Sequence, residues 1–295
     1  MTEIFGVPIQ ALMGQLMLGL VSGSFYAVLS LGLAVIFGML NIINFAHGAL
    51  YMMGAMLAWM GMNYLGLGYW WALVLAPPVV GVLGVIIERS MLQWLYKLDH
   101  LYGLLLTFGL SLILEGFFRD LYGVSGQPYS IPEELAGAFN LGFMFLPKYR
   151  AWVILSSLLV CLATWFIIEK TRLGAYLRAA TENPRLTQAF GINVPIMVML
   201  TYGFGVALAA FAGVLAAPAM QVSPLMGSIL IIVVFAVVVI GGMGSILGSI
   251  ITGMGLGVIE GLTKVFYPEA SSTVVFIIMV VVLLIRPAGL FGREK

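Results

Sequence analysis

Charge is what this sequence has least of. Lysine, arginine, aspartate and glutamate make up 8% of its 295 residues, where a soluble domain carries about 25%. That excludes an ordinary water-soluble fold. One cysteine, Cys161, excludes a disulfide framework within the chain. Two histidines and that single cysteine cannot build a multi-His or multi-Cys metal site. There is no Gly-Lys dipeptide, so a phosphate-binding loop of the G-x-x-x-x-G-K-[ST] type is absent. The sequence has no nucleophile elbow and no paired acid/base groups, which disfavours an intramembrane enzyme. A formal net charge of +1 offers nothing to a nucleic acid.

What is present is apolar: 62% of the residues are hydrophobic. Continuous runs fall near 11–38, 45–62, 71–88, 101–118, 152–168, 195–217, 227–241, 246–263 and 272–286. Roughly 20 such residues span the hydrocarbon as a helix, whereas barrel strands alternate over about ten. The fold class predicted is all-α: one polytopic transmembrane domain over residues 1–295, with about nine spans (eight to ten) and broken or re-entrant segments. The run at 11–38 is long enough to tilt or to hide an extra short segment. No basic n-region precedes it and no small-residue cleavage site follows, so it is expected to stay as an anchor.

Lysine and arginine set the orientation, because they concentrate in cytoplasmic loops. With nine spans, one side holds Arg89, Lys97, Lys170, Arg172, Arg178, Arg185, Arg286, Arg293 and Lys295. The other holds only Arg119, Lys148, Arg150 and Lys264. The first side is expected to be cytoplasmic. This places the loop 169–194 inside and the loop 119–150 outside. Glu115 and Glu260 each stand four residues before a cation (Arg119 and Lys264) and are expected to pair with it. Glu88 beside Arg89 is expected to snorkel at a cytoplasmic end.

The loop 169–194 is the longest polar stretch on the inner side. It reads as two short helices, over 173–181 and from Pro184, broken at Asn183-Pro184 and stopped by Gly191 and Asn193. Leu173, Tyr176 and Leu177 are expected on one face, with Arg178 projecting from another. Such a knob suits a partner's groove, or is simply a solvated loop held by basic residues.

The stretch "GMLNIINFAHGALYMMGA" (38–55) interrupts the apolar sequence with Asn41, Asn44 and His47. Polar side chains and irregular backbone at membrane depth must be enclosed by protein or line a wet cavity. Asn41 and Asn44 are expected either to cap broken helix ends, with His47 satisfying a carbonyl, or to line or gate a translocation path. The two readings are compatible. A second glycine-rich stretch places Gly244, Gly248, Gly253, Gly257 and Gly261 at small-residue spacings, which lets helix backbones approach closely.

Three motifs fall in one order: "NIINFAHG" at 41–48, then Gly174, Arg178-Ala179 and "AFGIN" at 189–193, then "RPAGLFG" at 286–292. Together they resemble the branched-chain amino-acid permease family of bacterial ABC importers, over nearly the whole chain. The resemblance implies a permease subunit of the inner membrane that works by alternating access. Its implied partners are a second permease subunit, making a heterodimer, two ABC ATPase subunits and a periplasmic substrate-binding protein. ATP and Mg would be bound by the ATPases, with no cofactor in this chain. It also makes the loop 169–194 the ATPase-coupling element, carried by Gly174, Arg178, Ala179, Glu182, Ala189 and Gly191. The family often has an acidic residue after His-Gly; here it is Ala49. The implied substrates are branched-chain or related amino acids, with urea, short amides or small organic acids as alternatives. An ion-coupled secondary transporter is the rival class, and it would require unpaired midplane carboxylates. The loop 119–150 is either a docking surface for the binding protein or an ordinary wet loop.

Overall fold

A computed structural model describes residues 3–4, 7–40, 42–142 and 144–292. The nine apolar runs all lie in helices. The first run is a single unbroken helix α1, Ile9–Leu40, with no extra segment hidden in it; it is followed by α2, Ala46–Leu65, α3, Tyr69–Ser90, and α4, His100–Tyr122. Then come α5, Lys148–Lys170, the short α6, Arg172–Glu182, and α7, Pro184–Ala189. The chain ends with α8, Val194–Ala216, α9, Met226–Gly241, α10, Ile246–Phe266, and α11, Val274–Ile285. Six of these (α1, α3, α4, α5, α8 and α10) are long and apolar enough to cross a membrane. A count of nine needs α2, α9 and α11 as well. Two of these, α9 and α11, are short, and α2 is diluted by His47, Asn63 and its glycines. The all-helical expectation is modified by two small antiparallel pairs: β1, Glu3–Ile4, with β2, Val7–Pro8, and β3, Ala138–Asn140, with β4, Phe145–Pro147.

Helix α1 is the hub: most of residues 19–36 are buried, and the helix packs against α10, α8, α9 and α5. Its pairing with α10 depends on glycine. A Cβ on Gly257 would collide with the backbone of Gly23 and Gly19, and one on Gly253 with Ala27. Gly261 lies against Gln15 and Gly19, Gly248 against Gly241, and Gly244 against Gly38. The hairpin between α9 and α10 turns on Gly242 and Gly244, at φ of 97° and 83°, a region that L side chains rarely adopt. The Ser245 hydroxyl then caps α10 by accepting from Gly248 N at 3.1 Å.

By contrast α4 buries little of its surface. Leu105, Leu112, Ile113 and Phe117 are exposed on it, and in a bilayer such a face meets hydrocarbon. At the 123–147 end, Tyr149 donates to Leu215 O (2.7 Å) and Trp152 Nε1 donates to Tyr69 Oη (3.0 Å), tying α5, α8 and α3 together. Two connections are also stitched to each other there. Gln127 and Val222 exchange backbone hydrogen bonds of 2.7 and 2.9 Å.

Candidate functional site

The polar interruption is a re-entrant break. The His47 ring lies against Gly32, and its Nε2 donates to Leu29 O at 3.0 Å, which fixes the tautomer. Leu29 precedes the end of α1 by eleven residues, about 16 Å of helix rise. The chain after α1 therefore doubles back along it before α2 starts, and α2 begins inside the protein. Asn41 lies outside the described residues. Thr107 of α4 holds the returning segment: its hydroxyl accepts from Phe45 N (3.2 Å) and is within donor reach of Ile43 O (3.2 Å). Phe45 stacks on Phe235 of α9, centroids 6.2 Å apart at 25°, and meets Phe108 edge-on.

Asn44 is not a cap. The residue at the N-cap position of α2 is Phe45, and no side chain caps the helix there. The Asn44 side chain is fully enclosed, and among the described residues neither Oδ1 nor Nδ2 has a hydrogen-bond partner. Its amide approaches the Tyr202 phenol, but neither group completes a bond of ordinary geometry. His47 Nδ1 is also unpartnered. A buried, unpaired polar group costs about 1–3 kcal/mol, so the arrangement holds stability in reserve. Asn44 lines a cleft with Leu33, Ile43, Phe45, Ile231 and Phe235 that is too tight to admit a water-sized sphere. Backbone contact between Gly48 and Gly227 joins α2 to α9 beside it.

Glu88 does not snorkel. It is buried and accepts a 2.6 Å hydrogen bond from Tyr96 Oη, while Arg89 is exposed and donates to Gln93. Burial and the neighbouring Glu88 carboxylate push the Tyr96 phenol above its usual range. Glu115 and Arg119 form no ion pair among the described residues. Lys264 does pair with Glu260, at 2.6 Å, and Tyr26 Oη donates to the other carboxylate oxygen at 2.7 Å. No three His, Cys, Asp or Glu side chains among the described residues converge as metal ligands.

In the loop after α5, Arg178 is engaged rather than free. Its guanidinium donates to Ile168 O at 2.8 Å and lies 3.7 Å from Glu169. Gly174 is buried against the same carbonyl, and a Cβ there would collide with it. Ala179, Glu182 and Ala189 are exposed, and Gly191 ends the segment at a φ of 83°. Leu177 turns inward, whereas Leu173, Tyr176, Leu186 and Phe190 stay uncovered. Asn183 and Asn193 cap α7 and α8 by accepting from Leu186 N (3.0 Å) and Ile196 N (3.2 Å).

The break thus brings Asn44 and His47 together with Thr107, Tyr202 and Phe235, none of which the sequence flagged. Their separation of 60 or more residues along the chain left no local signal.

A family model described as "Branched-chain amino acid transport system / permease component" matches residues 15–283. The chain is 32% identical, over 298 residues, to the high-affinity branched-chain amino acid transport system permease protein BraD of Pseudomonas aeruginosa, covering 95% of this chain and 96% of that protein. It is 29% identical over 296 residues to the corresponding protein LivH of Escherichia coli, with the same shares covered. LivM of Salmonella typhimurium, another permease protein of such a system, matches at 27% over 295 residues, 92% of this chain and 68% of LivM. With its apolar helices and this near full-length likeness, the chain belongs to the branched-chain amino-acid ABC transporter permease family.

Proposed function

We propose that this chain is the membrane-spanning permease subunit of an ATP-driven importer in a bacterial inner membrane. It moves branched-chain or related amino acids by alternating access, α2, α9 and α11 completing nine spans. ATP is hydrolysed by two partner ATPases that dock on α6 and α7, a second permease completes the pathway, and a periplasmic binding protein delivers the substrate. The loop 119–150 faces that protein. The observation that carries the reading is the enclosed break before α2. A family member places an unpartnered amide beside a closed cleft between α1, the segment that leads into α2, and α9, next to the close approach of Gly48 to Gly227. Buried polar groups without partners mark ligand or ion pathways in membrane proteins.

The test is reconstitution of the complete complex in vesicles with its binding protein. ATP-dependent accumulation of labelled leucine, with urea, acetamide and acetate failing to compete, is the expected result. Accumulation driven by an ion gradient without ATP would sink the reading in favour of a secondary transporter.

A further inference from the structure

The re-entrant break has the parts of a ligand subsite. Helix α2 is 20 residues long and has no acidic side chain in its first turn, so its partial positive end is not neutralised by the chain itself. Among the described residues, of the amides of Ala46, His47 and Gly48 only that of His47 has a bonded acceptor, Asn44 O at 3.3 Å. Asn44, 1% exposed, is a lining residue of the same cleft, and among the described residues neither polar atom of its amide completes a hydrogen bond, although the amide approaches the Tyr202 phenol. The remaining lining, Leu33, Ile43, Phe45, Ile231 and Phe235, is wholly apolar.

An anion with an attached aliphatic group matches this combination. Helix N-termini bind anions through free amides and the helix dipole, and broken helices in transporters present such ends to anionic substrate groups. We infer that the first turn of α2 and the Asn44 amide form a subsite for the carboxylate of an aliphatic amino acid, whose side chain lies against Leu33, Ile231 and Phe235. The inference rests on the function proposed above. It requires the stacked rings of Phe45 and Phe235 to part, because the cleft is closed as it stands. Asn44 Nδ2 donates to the carboxylate, and its Oδ1 is left for the neighbouring ammonium.

The test uses the assembled permease–ATPase complex in lipid nanodiscs without the binding protein, so that recognition by that protein does not enter. Binding of labelled leucine is competed with 4-methylvalerate, which lacks the ammonium, and with isopentylamine, which lacks the carboxylate. 4-Methylvalerate is expected to compete about tenfold better than isopentylamine. Asn44→Leu should weaken leucine binding by a similar factor. Asn44→Asp, which fixes a negative charge at the same point, should weaken it at least as much. Equal competition by the two analogues on the wild-type complex would overturn the subsite without reference to any variant. So would wild-type affinity in Asn44→Leu, or no leucine binding by a complex that takes leucine up. Failure of the wider reading looks different: the wild-type complex, supplied with its binding protein and ATP, accumulates no leucine at all.

Discussion

Arg178 reaches back across a helix boundary to Ile168: its guanidinium donates to the carbonyl in the last turn of α5 at 2.8 Å. Gly174 packs on the same carbonyl, so α5 and α6 form a preassembled elbow. Bulk at Gly174 would break that elbow before it touched a partner, and a steric block of docking belongs elsewhere. Phe190 is 78% exposed and Tyr176 46%, so they have less internal packing to lose than Gly174. Phe190→Ser combined with Tyr176→Ser is expected to reduce co-purification of ATPase subunits while leaving membrane insertion intact. Undiminished co-purification would remove this surface from ATPase docking.

Within the elbow, Arg178→Ala should cost little stability, about 0.5–1 kcal/mol, because the side chain is half-exposed. Gly174→Val should cost far more, since backbone has to move. Thermal unfolding of the purified subunit in detergent checks the order, and equal losses would mean that the elbow is not a packed unit.

Glu88 and Tyr96 make a double-mutant cycle. Tyr96→Phe leaves a buried carboxylate without its donor and should destabilise by about 1.5–3 kcal/mol. Removing both polar groups, with Glu88→Leu and Tyr96→Phe together, should recover part of that loss. Additive losses would show that the two groups do not depend on each other.

Gly257 and Gly255 are two residues apart on α10 but face different surroundings. Gly257→Val should separate α10 from α1 at a cost of several kcal/mol. Gly255 has open space around it, and Gly255→Val is expected to be close to neutral. Similar melting temperatures for the two variants would contradict the close backbone approach.

Orientation is tested with single cysteines. Ser125 falls in the stretch 119–150 and Thr181 in the stretch 169–194, and both are exposed; Cys161 is buried and is replaced by serine. In intact cells an impermeant thiol reagent should label a cysteine at 125 and leave one at 181 untouched. Labelling of both from outside would reverse the assignment drawn from lysine and arginine.

Much of this architecture is legible in the sequence because hydrocarbon imposes a simple rule on length and polarity. Each apolar run corresponds to a helix, residues 42–45 of the polar stretch form a break, and the Asn183-Pro184 step falls between two short helices. What stays hidden is partnership. Glu88 looks like an interfacial charge because Tyr96 sits beyond a helix end, and Arg178 looks free because its acceptor is a backbone carbonyl. Asn44 looks like a cap because asparagine before a helix usually is one. Whether its amide is bonded depends on α8 and α9, more than 150 residues away.

The paired backbone bonds between Gln127 and Val222 have a mechanical consequence. Val222 stands four residues ahead of α9, and Gln127 belongs to the connection that carries the β3–β4 hairpin. Neither strand of chain can shift without dragging or tearing the other. A load applied to that exposed hairpin therefore arrives at the first turn of α9, where Gly227 rests on Gly48, and the two connections act as one lever arm.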